Sequence, residues 1–396
     1  MYLTEKHIIK RTHPFYNECD KVCFQSKNIY NQAMYNVRQH YFNTKTYLSY
    51  YANYDLTKTQ ECYDYLPKKV FCQTLKLVDR NFKSFFGGLK SSKVQKARLP
   101  KYLDKANGRY IAVFPKQAVG LREFKKCGVL HLSQTEINVK TKLTEFNTLK
   151  EVRIIPRDTH YVIEVVYEVK EKVRKTNNNV AAIDLGLNNL STITFNNGNI
   201  PLVINGKPIK SINQYYNKQR AYYQSRLKGD KRTSKRMQRL TDKRNNKVTD
   251  YLHKASRVLV NQLVSREITT LVIGKNPNMK QDINIGKVNN QNFVQLPIMR
   301  FADIVKYKCE LEGIKVVFNE ESYTSKCSFL DGEEICKHET YMGRRVKRGL
   351  FVSKEGRKIN ADVNGSYNIM KKAIPNAFAN GIEGVGVHPL VLAIKR

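Results

Sequence analysis

Acidic residues are scarce in this chain beside basic ones. Of 396 residues only 34 are Asp or Glu, against 70 Lys and Arg, leaving a formal net charge of +36. Such an excess repels itself in a compact monomer and implies a polyanionic partner; because the charge is spread over the whole length, nucleic acid is favoured over a membrane surface, and no small-molecule substrate is expected. Long apolar runs are also missing. None approaches the roughly 18 residues that span a bilayer, and MYLTEKHIIK at the start has no signal-peptide core. The expectation is a protein without membrane contact, in a bacterial cytoplasm. The eight cysteines, at 19, 23, 62, 72, 127, 309, 327 and 336, lack a disulfide framework's spacing, which suits reduced thiols. Cys19 and Cys23 lie four apart on an expected helix with no partner pair, and read as core. With 41% hydrophobic residues the chain is globular, with room for two to four lobes.

The stretch organising the rest is 179–195. Val180–Ile183 is a small apolar strand ending in Asp184; Gly186 and Asn188-Asn189 supply a turn, and Ser191–Phe195 returns as a second strand. A carboxylate at the end of a buried strand is costly unless paired, and a divalent cation is a common partner. Alternatively, Asp184 simply caps the turn.

Upstream, a short strand near His7–Lys10 precedes a helical region to about Gly87, with apolar residues at helical spacing (Tyr30, Ala33, Met34, Val37; Phe71, Leu75, Val78, Phe82). Tyr47–Tyr54 reads either as half-buried packing or as rings for stacking on bases. Residues 108–170 look all-β and, with the N-terminal strand, close a small barrel into which the helical lobe is inserted.

Downstream, Pro201–Ile204 forms a third strand. A basic segment from Ser211 to about Lys247 follows, including Lys231, Arg232, Lys235, Arg236, Arg239, Lys243 and Arg244 interleaved with tyrosines. It is long and single-signed enough to read as phosphate contact rather than a merely solvated face. An amphipathic helix over Tyr251–Glu267 comes next, with His253 beside its apolar stripe and structural. A fourth strand at Thr269–Ile273, a helix from Pro297 to Gly313, and a fifth strand at Ile314–Phe318 then lead to Asn319-Glu320-Glu321. Residues 322–358 are loop-like and basic. The last helix starts near Asn360, with Asp362 in its first turn, where a carboxylate is favoured. The tail after Pro375 reads as weakly ordered.

Hairpin, strand, helix, strand, helix, strand, insertion, helix is the order of a ribonuclease-H-like domain. IDLGLNNLSTIT (183–194), NNQNFVQLPIMRF (289–301), YTSKCSFLDG (323–332) and GRKINADVNGSYNIMKKA (356–373) resemble TnpB. That family comprises RNA-guided nucleases of bacterial insertion sequences, related to Fanzor and the type V CRISPR effectors. The resemblance implies an α/β multidomain protein. A wedge β-barrel would occupy 1–14 and 100–172, and a helical recognition lobe 15–99. A RuvC-like nuclease domain would occupy 178–321 and 359–396, with a degenerate zinc-ribbon-like, target-nucleic-acid-binding insertion at 322–358. It further implies a Mg²⁺-dependent, RNA-guided endonuclease with two ions, a guide RNA and a double-stranded DNA target. Lys326, Arg344, Arg345 and Arg348 of the insertion join the nucleic-acid-binding set.

The family's catalytic acids run Asp, Glu, Asp. Asp184 and Asp362 match the first and third. At the second, this chain has Gly274-Lys275-Asn276, with Asp282 the nearest acid. A relocated glutamate just before the Thr324-Ser325-Lys326 motif would fill the place, Glu321 first and Glu320 as the alternative, because neighbours on a strand point to opposite faces. Zinc is not expected: Cys327, Cys336 and His338 make three ligands at odd spacing, where Zn²⁺ takes four. The rival readings are a catalytically dead guided binder, a transposase-like strand-transfer enzyme, and a nonspecific packaging protein.

Overall fold

A computed structural model describes residues 1–91, 97–173, 176–276, 297–379, 381–382 and 384–394. The chain divides into two compact units, Met1–Val169 and Lys170–Arg396.

In the first unit, strand β1 (Tyr2–Ile9) precedes helices α1 (Tyr16–Thr44), α2 (Tyr50–Thr57) and α3 (Lys68–Lys90). Strands β2 (Ala112–Pro115) and β3 (Val119–Gly120), helix α4 (Leu121–Cys127), and strands β4 (Val129–Leu132), β5 (Asn138–Lys140), β6 (Leu149–Pro156) and β7 (Tyr161–Glu168) complete it. Seven strands stand where the barrel is expected. The strands pair as a four-stranded antiparallel sheet, β1-β7-β6-β2, and a separate three-stranded sheet, β3-β4-β5. The α3 stripe of Val70, Phe71, Leu75, Val78 and Phe82 is fully buried, each side chain contributing about 1.5–3 kcal/mol by leaving water. Cys19 and Cys23 are core, as read. Helix α1 is pinned to the segment that follows the inserted helices: Asn31 Nδ2 donates to the Leu103 carbonyl and Arg109 pairs with Asp20 through two hydrogen bonds. The tyrosine-rich stretch divides. Tyr47 is tied to Asp79 and Tyr54 packs edge-on to Phe71, while Tyr51 is 78% exposed.

The second unit is built on strands β8 (Val180–Asp184), β9 (Asn189–Phe195) and β10 (Leu202–Asn205), helices α5 (Lys207–Gln224) and α6 (Lys235–Ser265), β11 (Thr270–Lys275), α7 (Ile298–Leu311) and β12 (Lys315–Glu320). After these come β13 (Arg344–Lys347), β14 (Leu350–Val352), β15 (Lys358–Ile359), α8 (Ala361–Ala373) and β16 (Leu390–Leu392). The main sheet runs β12-β11-β8-β9-β10-β16, with β8–β9–β10 antiparallel and β11 and β12 parallel to β8 and to each other. Strands β8 and β9 are buried on both faces; β8 is apolar up to Asp184, while β9 buries Ser191, Thr192 and Thr194 among its apolar residues.

Strand parity sorts these residues. Ala181, Ile183, Leu271 and Ile273 face α6 and α7, packing with Leu252, Leu259, Phe301 and Val305. Val180, Ala182 and Val272 face α8, against Ile369 and Met370. Ser366 docks α8 by hydrogen bonding the Ala182 carbonyl at 3.1 Å and the Thr194 hydroxyl at 2.9 Å.

Two expectations for the C-terminal region are corrected. Residues 322–358, with Ile359, form a three-stranded sheet, β13-β14-β15, and a core of Phe329, Leu330, Phe351 and Ile359 against Tyr367. Clamping its base, Asn368 donates to the Thr324 and Cys327 carbonyls and Asn364 to Cys327. Among its described residues the tail is tied to the rest of the unit. Leu390–Leu392 adds to the sheet beside β10, and the Tyr367 hydroxyl donates to the Gly386 carbonyl at 3.1 Å. Burial of Tyr367 and backbone pairing outweigh the local Gly-Ala composition. No helix among the described residues is long and apolar enough to cross a membrane.

Candidate nuclease site

Parity also builds the site. Asp184 lies two residues beyond Ala182, so it emerges on the α8 face, at one side of a cleft of about 240 Å³. Asp362, capped into the first turn of α8 by the Asn360 side chain, lies on the same cleft. Gly365, one turn on, lets the helix close in: a Cβ there would sit 3.1 Å from Asp184 Oδ2. Burial, then the charges of Asp362 and Glu321, push the Asp184 carboxyl up to about 8, against a pull downward from Arg345.

Gly274 shares this face on β11 and pairs in register with Asn319 of β12. Two residues further, the same parity delivers Glu321. Because β11 lies between β12 and β8, Glu321 reaches toward Asp184 over Gly274. A Cβ at Gly274 would lie 2.8 Å from Glu321 Oε2 and 2.6 Å from Ile369 Cδ1. The missing side chain is therefore the space that the glutamate occupies. Burial, then Glu320, raises the proton affinity of Glu321. Glu320 goes elsewhere, to the exposed sheet edge, paired with Lys372 at 2.7 Å and accepting from Ser322, and these partners lower its proton affinity. Residues 277–296, with Asp282 and most of the 289–301 motif, lie outside the described residues.

Asp362 is shared between two donors, Arg345 Nη2 to Oδ1 at 3.3 Å and Asn189 Nδ2 to Oδ2 at 2.8 Å. Arg348 lines the same cleft and its carbonyl accepts from Arg345. Among the described residues no three acidic, His or Cys side chains stand close enough to enclose a metal ion as they are. The donor set still fits Mg²⁺, a hard ion that takes carboxylate oxygens, commonly from one or two residues with phosphate and water completing the shell. A buried carboxyl held near 8 also marks a place where positive charge is wanted. In the insertion, His338 Nε2 lies 3.3 Å from Cys336 Sγ and 2.8 Å from the Glu334 carbonyl, while Cys327 Sγ is directed to the Cys336 carbonyl.

The basic segment forms two helices joined by 225–234. Lys231, Arg232, Lys235, Arg236, Arg239 and Lys243 are exposed, as are Lys326 and Arg344. Arg236 lies over the Tyr223 ring at 4.5 Å. Arg244 is half-buried between the helices, its Nε donating to the Asn213 side-chain oxygen at 2.8 Å. His253 is exposed and offers its carbonyl to Lys308. Reading the sequence missed Asn189, Ser366 and the space at Gly274, because none carries a local signal beyond that of an ordinary turn, helix or strand residue.

The acid-lined cleft under basic side chains sits in an α/β fold, and the comparisons agree with that fold class. Residues 164–280 match the family model OrfB_IS605, described as a probable transposase, and residues 299–369 match the Cas12f1-like TNB domain. The resemblance to TnpB proteins is thus borne out over these stretches. The TnpB-like protein ORF457 of Acidianus two-tailed virus is 25% identical over 208 residues, 50% of this chain and 42% of that protein. The CRISPR-associated endodeoxyribonuclease Cas12f2 of a Micrarchaeota archaeon is 25% identical over 230 residues, 54% of this chain and 41% of that protein. The chain thus spans less than half the length of these curated relatives. Among solved structures, a Cas12f1–sgRNA–target DNA complex has the same fold, with a TM-score of 0.54 at 13% identity, covering 90% of this chain and 82% of that one.

Proposed function

We propose that the chain is an RNA-guided DNA endonuclease associated with a transposable element. It cuts double-stranded DNA beside a short adjacent motif at one RuvC-type, ribonuclease-H-like site. The observation carrying this is the convergence of Asp184, Glu321 and Asp362 beside Arg345 and Arg348. The strand order, an antiparallel β8–β9–β10 meander extended by parallel β11 and β12, supports the ribonuclease-H-like reading. The relatives' descriptions as TnpB-like and endodeoxyribonuclease support the activity.

Asp184, Glu321 and Asp362 would hold two Mg²⁺, which supply an activated water and charge relief at the leaving oxygen. The chain's own residues do the rest. Asp184, pushed up to about 8, takes a proton when no cation offsets its charge. Arg345 and Arg348 present guanidinium groups to a phosphate at the cleft. Exposed Lys231, Arg232, Lys235, Arg236, Arg239 and Lys243 hold nucleic acid through its backbone. The wedge region (1–14, 100–172) and helical lobe (15–99) read the adjacent motif and grip the guide, leaving sequence to base pairing. The insertion (322–358) grips the target through Lys326 and Arg344.

The test is to purify the chain with its native flanking DNA, sequence the RNA that accompanies it, and assay cleavage of a matching target in Mg²⁺. Asp184→Ala and Asp362→Ala should abolish cutting while DNA binding persists; unchanged cutting by either sinks the site. Gly274 favours a second reading, a guided binder without catalysis, which predicts no wild-type cleavage for Glu321→Gln to remove. The probable-transposase description favours a third, strand transfer, which predicts joined donor ends without RNA.

A further inference from the structure

Asn188-Asn189 has the composition of a simple turn between β8 and β9, yet its two side chains are both committed to distant parts of the chain. Asn189 Nδ2 donates to Asp362 Oδ2 at 2.8 Å, across 173 residues of sequence. With its amide oxygen turned to Arg348, Asn188 accepts from Nη2 and Nε at 3.1 and 3.2 Å. The backbone around them is tightly packed. The Gly206 N–H donates to the Asn188 carbonyl at 2.7 Å, and a Cβ at Gly206 would stand 2.4 Å from the Leu187 carbonyl oxygen. A Cβ at Gly186 would stand 2.8 Å from the Asn189 carbonyl oxygen. The β9–β10 register shifts between Ile204 and Asn205, which sets Asn189 opposite Asn205. Reversing the chain requires none of this.

The two donors to Asp362 differ in kind. Arg345 sits on the exposed β13–β14 hairpin and carries a charge that opposes a cation at the same carboxylate. Asn189 is neutral, half-buried, and anchored at the start of the strand paired with β8. A neutral donor orients a carboxylate without contesting its negative charge, which is what outer hydrogen bonds do for metal ligands.

We infer that Asn189 is a positioning residue: it holds Asp362 in the orientation that lets it share a divalent cation with Asp184. This rests on the nuclease reading of the same cleft. An aspartate at 189 would lose the donor and set two carboxylates against each other.

The experiment uses the full chain with its co-purified RNA and compares wild type with Asn189→Ala, Asn189→Asp and Asn189→Gln. Mn²⁺ binding is followed by calorimetry, and the Mg²⁺ dependence of target cleavage is measured in parallel. Ala and Asp should weaken Mn²⁺ binding and raise the half-saturating Mg²⁺ by roughly 10-fold or more. Excess Mg²⁺ should restore cutting by the Ala variant, with the melting temperature and DNA affinity unchanged. Gln, which keeps the donor on a longer arm, should recover part of the loss. Wild-type Mn²⁺ affinity in Asn189→Ala would overturn the inference and leave the nuclease reading standing. So would a lower melting temperature with a cleavage defect that Mg²⁺ does not restore, since the role is then structural. A wild-type complex that neither binds Mn²⁺ nor cuts would overturn both.

Discussion

Removing the charge of Asp184 should make the cation-free protein more stable, and only at high pH. The carboxyl sits at about 8 in the folded chain against an ordinary 3.8, chiefly because burial disfavours its charged form. A folded value raised above the unfolded one gives stability that is present in acid and lost as pH climbs from about 4 to about 8. Some four decades of proton concentration lie between, each worth about 1.4 kcal/mol, so the ceiling is about 5–6 kcal/mol. Asp184 borders the open cleft, and water screens part of that, so about 2–3 kcal/mol is the working value. For a unit of this size that is roughly 5–10 °C in melting temperature. The assay is thermal unfolding of wild type and Asp184→Asn in EDTA, from pH 4 to pH 8.5. The curves should coincide near pH 4 and separate with the variant on top by pH 8. Adding Mg²⁺ at pH 8 should raise the wild type toward the variant and leave the variant in place. A variant less stable at pH 8, or an offset independent of pH, would refute the argument.

Other outcomes follow from neighbouring contacts. Gly274→Ala should cost about 1–3 kcal/mol by overpacking Ile369 and displacing Glu321, and Gly274→Glu with Glu321→Ala should cut better than Glu321→Ala alone; equal cutting by Glu321→Ala and wild type would refute the relocated acid. Ser366→Ala should lose about 1–3 kcal/mol in urea unfolding, because buried partners on β8 and β9 lose their hydrogen bond; a change under about 0.3 kcal/mol would discount Ser366 as the dock. Arg244→Ala should lower stability, whereas Lys243→Ala should leave stability alone and reduce the salt dependence of nucleic-acid binding by about one ion. A salt titration alongside thermal melts separates the two.

The local chemistry of several elements was legible before any folding was considered. Apolar Val180–Ile183 ending in Asp184, and the proline and glycine bounding α7, state their elements within a few residues, because strand burial and capping are short-range. The preference for Glu321 over Glu320 combines its place before Thr324, which the resemblance implies, with strand parity, and the fold adds a neighbour at Gly274 with no side chain. Three other features were decided only by tertiary structure. Arg244 is spent on Asn213, a residue 31 positions away. The Gly-Ala tail is held by a strand pairing across the unit. Asn189 meets Asp362 because Ser366 and Gly365 bring α8 against β8 and β9. Each depends on which distant groups share one face of one sheet, and sequence spacing carries no record of that until the sheet is assembled.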